Sequence, residues 1–278
     1  MLRRAEAHEI EAYMETAYAL ALDPSRSGYP LFSDGILTKE QFVRWVWESH
    51  RQAGRELLLF CLPDGRAAGW IQFFWIEEDR YLQTDGFYME HSVSRVLEEF
   101  IAYARGRFPG YALNLGFPEE NEEAVRWLDA AGWTRAEQSC HDIFTLRDGL
   151  SPQSAAVEPV TEETFPLFRA LHRVDADTYW NADRIARTRS AWLLYLYREN
   201  GAARGAICAR DGEIYGIDYE GGRFDAGVYR ALVTAVLHAC KSEGRSHVVC
   251  FHSEREQAAA LALGFRRAAR YILFQTHL

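Results

Sequence analysis

Two stretches of the chain that share one pattern decide its architecture. The sequence DGRAAGWI at Asp64–Ile71 recurs as NGAARGAI at Asn200–Ile207, 136 residues later. An apolar run precedes each copy, Leu57–Phe60 in the first and Leu193–Leu196 in the second. An Asp-Gly or Asn-Gly pair between apolar runs predicts a β-hairpin, because these residues accept the positive φ angles of a tight turn.

Further features recur in the same order at similar distances. An amphipathic helix with one apolar stripe is predicted from Val93 and again from Val228. The pair Gly132-Trp133 has a counterpart in Gly264-Phe265. Such self-similarity indicates an internal duplication. A polar stretch with Gly and Pro, 147–154, suits a linker, so we predict an N-terminal domain at residues 1–147 and a C-terminal domain at 156–278.

Strands and helices follow a similar order in both predicted domains, β-α-α-β-β-β-α-β-α-β-β. This alternation predicts the α/β (α+β) class, as two tandem domains that each have a mixed, mostly antiparallel sheet flanked by helices. In the N-terminal domain, Thr38 and Gln41 fit a capping box, which predicts that a helix begins there.

Composition and charge exclude or disfavour several classes of protein. The 278 residues are 48% hydrophobic and 26% charged, which excludes a disordered or collagen-like chain. The net charge of −9 disfavours nucleic acid as a partner, because an acidic surface repels phosphates. No apolar run approaches the ~20 residues of a membrane span, and no apolar signal segment follows the first residues. We therefore expect a cytoplasmic protein with no membrane partner.

The cysteines and histidines predict no metal site. The five cysteines are widely spaced and form no CxxC pair. Cys250 and His252 share one face of a predicted strand, but two ligands do not make a metal site. The sequence favours a buried cysteine beside a peripheral histidine.

The stretch NEEAVRWLDAAGW, Asn121–Trp133, resembles the late helix of the GNAT N-acyltransferase superfamily. It has an Asn, an Ala three residues on and a Gly-aromatic pair at the next strand. The C-terminal domain keeps only the end of this pattern, at Ala260–Phe265. With the element order and the duplication, the resemblance implies two tandem GNAT-like domains over most of the chain. It also implies acetyl-CoA or another acyl-CoA as donor and a small amine as acceptor.

The family holds the pyrophosphate of CoA at a helix N-terminus, where free N–H groups and the helix dipole favour an anion. Its loop resembles (Arg/Gln)-x-x-Gly-x-(Gly/Ala). In the N-terminal domain Met89 stands at the basic position and serines stand at both glycine positions. The resemblance places the candidate donor-binding residues of this domain at His91, Ser92, Val93, Ser94, Arg95 and Asn121. Either serine could instead cap the helix.

In the C-terminal domain the corresponding loop keeps one glycine. Gly227 stands at the first glycine position, and Phe224 replaces the basic residue. Gly227 and Arg230 are the candidate donor-binding residues here, whereas Asp225 would repel phosphates. We expect one half to be catalytic and the other structural. The better match of its late helix favours the N-terminal half, whose loop Asp23–Gly35 is long enough to frame an acceptor.

Acyl transfer to an amine needs a base for the amine and an acid for the leaving thiolate. The family often supplies the acid as a Tyr four residues before the Gly of the late helix. Leu128 and Ala260 occupy those positions, so neither copy has it. The candidate catalytic residues are Asp85, Glu90 and Tyr88 in the N-terminal domain, with Asp218 and Glu220 as C-terminal alternatives and Tyr219 or Tyr229 as substitute acids.

Two other functions stay open at this point. The missing loop glycines and tyrosines favour a non-catalytic protein that binds acyl-CoA or a metabolite, or serves as a scaffold. An aminoacyl-tRNA-dependent transferase is the other alternative, which the net charge of −9 disfavours.

Overall fold

The computed structural model describes residues 1–147, 149–172 and 179–278. The chain forms two compact units. The N-terminal unit comprises Met1–Gln138 with Ala269–Leu278, and the C-terminal unit comprises Ser139–Ala268. In each unit helices pack on both faces of one sheet.

The N-terminal unit begins with a short strand and two helices. Its elements are β1 (Leu2–Arg4), α1 (Ala7–Ala21), α2 (Lys39–Arg51), β2 (Arg55–Cys61), β3 (Ala67–Ile76), β4 (Tyr81–Met89), α3 (Val93–Arg107), β5 (Ala112–Pro118), α4 (Glu122–Ala130) and the start of β6 (Thr134–Thr145). The strand order is β1-β2-β3-β4-β5-β12, where β12 is the last strand of the chain, Arg266–His277. Only the β4–β5 pair is parallel among the registers of this unit.

The C-terminal unit repeats this order with shorter helices before its hairpin. Its elements are β7 (Val157–Pro159), α5 (Phe165–Leu171), α6 (Ala182–Arg187), β8 (Leu193–Glu199), β9 (Ala202–Arg210), β10 (Glu213–Tyr219), α7 (Ala226–Ser242), β11 (His247–His252) and α8 (Glu254–Leu263). The strand order is β6-β11-β10-β9-β8-β7. Here β10 and β11 form the parallel pair, and β6 is antiparallel to β11.

The last strand of each repeat belongs to the sheet of the other unit. Strand β6 follows the N-terminal repeat but pairs with β11, and β12 follows the C-terminal repeat but pairs with β5. The chain passes from one unit to the other within β6 and returns within β12. The compact units therefore divide the chain at other points than the linker that separates the two repeats in sequence.

Local sequence signals form as predicted. Gly65 has φ +88°, and Asn200 and Gly201 have φ +51° and +82°, so both hairpins turn at their Asp-Gly and Asn-Gly pairs. Thr38 and Gln41 form the capping box of α2. In each unit, mixed and mostly antiparallel strands flanked by helices confirm the predicted fold class. No helix of the described residues is long and apolar enough to span a membrane.

In each unit, the apolar face of one helix packs on the two parallel strands. Helix α3 buries its predicted stripe against β3, β4 and β5; the buried residues are Val93, Val96, Leu97, Phe100, Ile101 and Ala104. On the opposite face, α1 and α2 bury an aromatic cluster in which Phe42 packs on Trp70 and Tyr88. Helix α7 buries Val228, Leu232 and Val236 in the C-terminal unit.

Candidate active site

The two parallel strands of the N-terminal unit pair along only part of their length. Strand β4 pairs with β5 from Tyr81–Ala112 to Gln83–Asn114. Beyond these pairs the arms diverge, Thr84–Met89 on one side and Leu115–Pro118 on the other; we call this the N-terminal split. A gap between parallel strands exposes backbone N–H and C=O groups, which need partners.

The chain itself lies between these arms. The segment Arg26–Tyr29, here called the filling segment, follows α1 and bridges to both strands. The Gly28 N–H donates to Phe87 O at 2.8 Å, and the Met89 N–H donates to Arg26 O at 3.1 Å. On the other side, the Tyr29 N–H donates to Gly116 O at 3.0 Å. The filling segment therefore takes the place that an added ligand chain would occupy.

The N-terminus of α3 is also occupied by the protein. The Ser94 N–H donates to a carboxylate oxygen of Glu123 at 3.0 Å, and the Ser94 hydroxyl contacts the same oxygen at 3.2 Å. Ser92 lies before the helix in the left-handed region, at φ +62°. A side-chain anion thus stands where the sequence predicts a phosphate.

The remaining N-terminal binding candidates have structural surroundings. Asn121 is fully buried; its Oδ1 caps α4 by accepting the Ala124 N–H, and its Nδ2 donates to Ser27 O of the filling segment. Arg95 pairs with Glu99 at 3.1 Å. Val93 is buried in the core and His91 is exposed.

Asp85 occupies a β-bulge of β4. The β3–β4 register skips it, because Phe73 pairs with Thr84 and Gln72 pairs with Gly86. Its carboxylate forms an ion pair with Arg55. Burial raises the pKa of Asp85 to about 6, against the lowering effect of Arg55. A carboxyl group with a pKa near neutrality can act as a general base.

The other two N-terminal catalytic candidates have different partners. Tyr88 is fully buried against Phe42 and Trp70, and burial raises its pKa well above the ordinary value. Glu90 accepts from the Tyr13 hydroxyl at 3.1 Å and forms an ion pair with Arg66 at 2.8 Å. The structure therefore gives each of the three candidates its own set of contacts.

The C-terminal unit has a corresponding split. Strand β10 pairs with β11 only at Glu213–Val249 and Ile214–Cys250. Beyond these pairs lie Tyr215–Tyr219 and Phe251–His252, here called the C-terminal split. Strand β10 also has a register shift at Tyr215, as β4 has at Asp85. Among described residues of this unit, no segment pairs with both arms as the filling segment does.

The first turn of α7 follows directly on the C-terminal split. Gly221 and Gly222 have φ of +66° and +69°, so the loop before the helix uses a conformation that side chains rarely adopt. The Asp225 carboxylate caps the helix by accepting the N–H groups of Gly227 and Val228 at 2.7 and 3.0 Å. Gly227 and Arg230 are exposed, and the Arg230 Nε donates to Ala226 O.

A buried polar cluster lies at the end of β11, and the sequence interpretation missed it. His252 Nε2 contacts Asp142 Oδ2 of β6 at 3.0 Å, and the ring of Tyr229 lies 6.3 Å from the imidazole. The exposed fractions are 4% for His252 and 0% for Asp142 and Tyr229, so the expectation of a peripheral histidine is wrong. The shared face of Cys250 and His252 was the available signal, but Asp142 is 110 residues away.

The opposite face of β10 carries a second histidine–carboxylate pair. His172, at the end of α5, contacts Asp218 Oδ2 through Nδ1 at 2.7 Å and Trp180 O through Nε2 at 2.9 Å. Burial lowers the pKa of His172, but the hydrogen bond and charge of Asp218 outweigh it, so the pKa is raised. Because both nitrogens face acceptors, the charged imidazolium satisfies this site best. Glu220, the other C-terminal candidate, pairs with Arg204.

No cluster of three or more potential metal ligands occurs within residues 1–147, 149–172 and 179–278.

Known structures share the fold of this chain, although two comparisons of its sequence with known proteins find no match. No protein family model matches the sequence, and no curated protein matches it. A GCN5-related N-acetyltransferase from Sphaerobacter thermophilus has a TM-score of 0.64 at 15% identity, covering 100% of this chain and 95% of that one. A tandem GNAT protein from the clavulanic acid biosynthesis pathway, in a form without AcCoA, has a TM-score of 0.55 at 15% identity and covers 100% and 98%.

A third similar structure is a glucosamine N-acetyltransferase region of a fungal multi-domain β-N-acetylglucosaminidase. It has a TM-score of 0.63 at 10% identity, covering 99% of this chain and 38% of that one. At such identities the likeness concerns the fold. The predicted resemblance is confirmed at that level: the chain has the tandem fold of the GNAT acetyltransferases.

Proposed function

We propose that this protein transfers an acyl group from acyl-CoA, and specifically from acetyl-CoA, to a small amine, with the C-terminal unit binding the donor. The observation that carries the proposal is the difference between the two splits. The N-terminal split holds the filling segment, bonded to both arms, whereas no described segment bridges the C-terminal split. This argues against the expectation that the N-terminal half binds CoA.

The chemistry of CoA fits a gap between two strands. The pantetheine chain contains amide groups, which can pair with exposed backbone groups as an added strand does. The pyrophosphate then reaches the first turn of α7, where N–H groups and the helix dipole favour an anion. Arg223 and Arg230 lie exposed beside this turn and supply positive charge.

Donor binding requires different rearrangements in the two units. At α7 the phosphate must displace the Asp225 carboxylate, which is a rotation of one exposed side chain. In the N-terminal unit it must displace Glu123 and also pull Arg26–Tyr29 out of the sheet. Breaking several buried backbone hydrogen bonds costs about 1 kcal/mol or more for each, so we infer that the donor enters the C-terminal split.

The roles predicted for Asp85, Glu90 and Tyr88 belong to the N-terminal split and stay predictions. These catalytic roles require the filling segment to leave the N-terminal split. With the donor in the C-terminal unit, the N-terminal unit is the structural half of the proposed enzyme.

The proposal is tested by calorimetric titration of the whole chain with acetyl-CoA and with CoA at moderate salt. We expect one molecule bound per chain. Gly227→Glu places a carboxylate at the first turn of α7 and should abolish binding. Ser92→Glu is the matched control, because it places the same charge before α3 and should leave binding unchanged.

Three other outcomes would count against the proposal. Loss of binding in Ser92→Glu alone would assign the donor to the N-terminal unit. No binding at millimolar ligand would refute acyl-CoA as donor. Binding without turnover on a panel of amines would instead indicate a non-catalytic binding protein.

A further inference from the structure

The polar cluster at the end of β11 contains three buried atoms with no hydrogen-bond partner among the described residues. They are His252 Nδ1, Asp142 Oδ1 and the Tyr229 hydroxyl. Leaving such groups unpaired in a protein interior costs about 1–3 kcal/mol each. Three of them in one cluster indicate a place that a polar ligand group or water satisfies.

The contact between His252 and Asp142 determines which ring nitrogen of the neutral imidazole carries the hydrogen. An ionised carboxylate can only accept, so Nε2 must carry the hydrogen that it donates to Asp142 Oδ2. In the neutral ring, Nδ1 then holds a free lone pair. His252 is therefore oriented as a proton acceptor with a carboxylate behind it, which is the arrangement that activates histidine in general base catalysis.

The cluster lies where the proposed donor would be bound. His252 is two residues beyond Cys250, the last residue of β11 that pairs with β10, and so belongs to an arm of the C-terminal split. Tyr229 stands in the first turn of α7, and Tyr219 ends the other arm. The Tyr219 hydroxyl donates to Glu256 at the start of α8 at 2.8 Å. Strands β10 and β11 end, and helices α7 and α8 begin, around the same group of polar atoms.

The N-terminal unit has no such cluster at the corresponding positions. Gly116 and His252 each lie two residues beyond the last parallel pair of their strand. Ser94 and Tyr229 each follow the first valine of their helix stripe, Val93 or Val228. A Cβ atom on Gly116 would approach the Tyr271 ring to 2.8 Å, so that site has no room for a side chain. The polar cluster is therefore a feature of the C-terminal unit and not of the repeated fold.

We propose that His252, oriented by Asp142, is the catalytic proton acceptor and donor of the C-terminal unit. The inference rests on the proposed function. The amine nitrogen attacks the thioester carbonyl carbon and forms the C–N bond, and its proton passes to His252 Nδ1. The C–S bond then breaks with its electron pair on sulfur. His252 returns the proton to the sulfur, which leaves an amide, free CoA thiol and a neutral imidazole.

The surroundings of His252 suit this cycle. Asp142 lies on β6, and its Oδ1 is 4.0 Å from the guanidinium of Arg267. Glu256 of α8 adds a second negative charge, and Cys250 and Tyr229 are protonated at neutral pH because burial raises their pKa values. A transient imidazolium is thus stabilised by Asp142, while its neutral neighbours do not compete for the proton.

The test uses His252→Gln, with His141→Gln as a matched control. His141 is the neighbouring buried histidine of the same strand pair, but it stacks on Phe251 at 4.8 Å on the other face of the sheet. With CoA as probe, the ultraviolet absorbance of its thiolate gives the pKa of the bound thiol. An imidazolium beside the thiolate should lower that pKa by about one unit. We expect this shift in the wild type and in His141→Gln, and its loss in His252→Gln.

Calorimetry with CoA and thermal melting accompany the titration. His252→Gln should fold and bind CoA within about threefold of the wild type, since its proposed role is proton transfer. With any amine that the protein accepts, kcat should fall at least about 100-fold at unchanged KM for the donor. Asp142→Asn should narrow the pH range of activity, because Asp142 positions the imidazole.

A measurement on the wild type avoids reliance on a folded variant. In imidazole NMR spectra the His252 resonances should move when CoA is added, and those of His141 should not. An unchanged His252 signal, or an unchanged thiol pKa in His252→Gln, would overturn this inference while the proposed function stood. Failure of the wild type to bind CoA would overturn both.

Discussion

The N-terminal and C-terminal splits have the same strands but different contents. Between β4 and β5 lies the filling segment, and the carboxylate of Glu123 holds the first turn of α3. Between β10 and β11 no described segment plays this part, and the arms end at His252 and Tyr219 instead. The comparison teaches that the fold supplies the gap in both halves, and that a segment outside the repeated strands can fill it.

The connection between the first two helices of the N-terminal unit supplies the filling segment. Residues 22–38 join α1 to α2, a connection long enough to return into the sheet. A segment that pairs with strands on both sides satisfies the exposed backbone groups of the split. It therefore stabilises the N-terminal unit by closing the site.

The largest expected effect concerns the filling segment. A Cβ atom on Gly28 would approach Gly116 O to 3.0 Å and Phe87 Cβ to 3.1 Å, so Gly28→Ala should lower the free energy of unfolding by about 1–3 kcal/mol through overpacking. Gly106→Ala in α3 is the control; nothing lies within 4 Å of its Cβ, and it should stabilise by about 0.5–1 kcal/mol. Urea unfolding measures both. An unchanged midpoint for Gly28→Ala would mean that the segment is not fixed in the split.

A smaller effect is expected from substituting two buried tyrosines, one in each unit, and it should differ between them. The hydroxyls of Tyr88 and Tyr229 are both buried without a partner among the described residues. If Tyr229 faces the donor, Tyr229→Phe should weaken CoA binding or lower kcat by about tenfold, equivalent to about 1.4 kcal/mol. Tyr88→Phe should leave both unchanged, and should stabilise the fold by about 1 kcal/mol, because an unpaired buried hydroxyl is removed. Equal effects of the two substitutions on CoA would contradict the assignment of the donor to the C-terminal unit.

The smallest effect concerns pH and His172. Since Asp218 raises the folded-state pKa of His172 above its ordinary value of 6.5, folding favours the protonated ring. Its contribution is fully present below the unfolded pKa and is lost as pH rises through the raised folded pKa. His172→Gln should therefore remove a stability increment of about 1 kcal/mol at pH ~6 and change little at pH ~9. Unfolding of the wild type and of His172→Gln at both pH values checks this prediction, and an equal loss of stability at both would contradict it.

Several features could be predicted because they depend on neighbouring residues. The Asn-Gly and Asp-Gly turns, the capping box of Thr38 and the stripe of α3 each form within a few residues of sequence. The spacing of the duplicated features then predicted two repeats, and the resemblance at Asn121–Trp133 implied that they are GNAT-like. The binding candidates at Ser92, Ser94 and Asn121 were predicted from alignment with a loop pattern, and alignment carries no information on which group already occupies the site.

The sequence by itself determined most of the elements, their order and the repeat of that order, since turn chemistry, capping and hydrophobic periodicity act over short distances. Each repeat ends in one strand, β6 or β12, where the sequence predicted a pair of strands. Tertiary structure alone decided which strands complete each sheet, where β6 and β12 exchange units, and that Arg26–Tyr29 enters the N-terminal split. It also decided that Asp142 meets His252, residues 110 positions apart. Such contacts depend on sheet register and on burial of polar groups far apart in the chain, and no local pattern of residues encodes them.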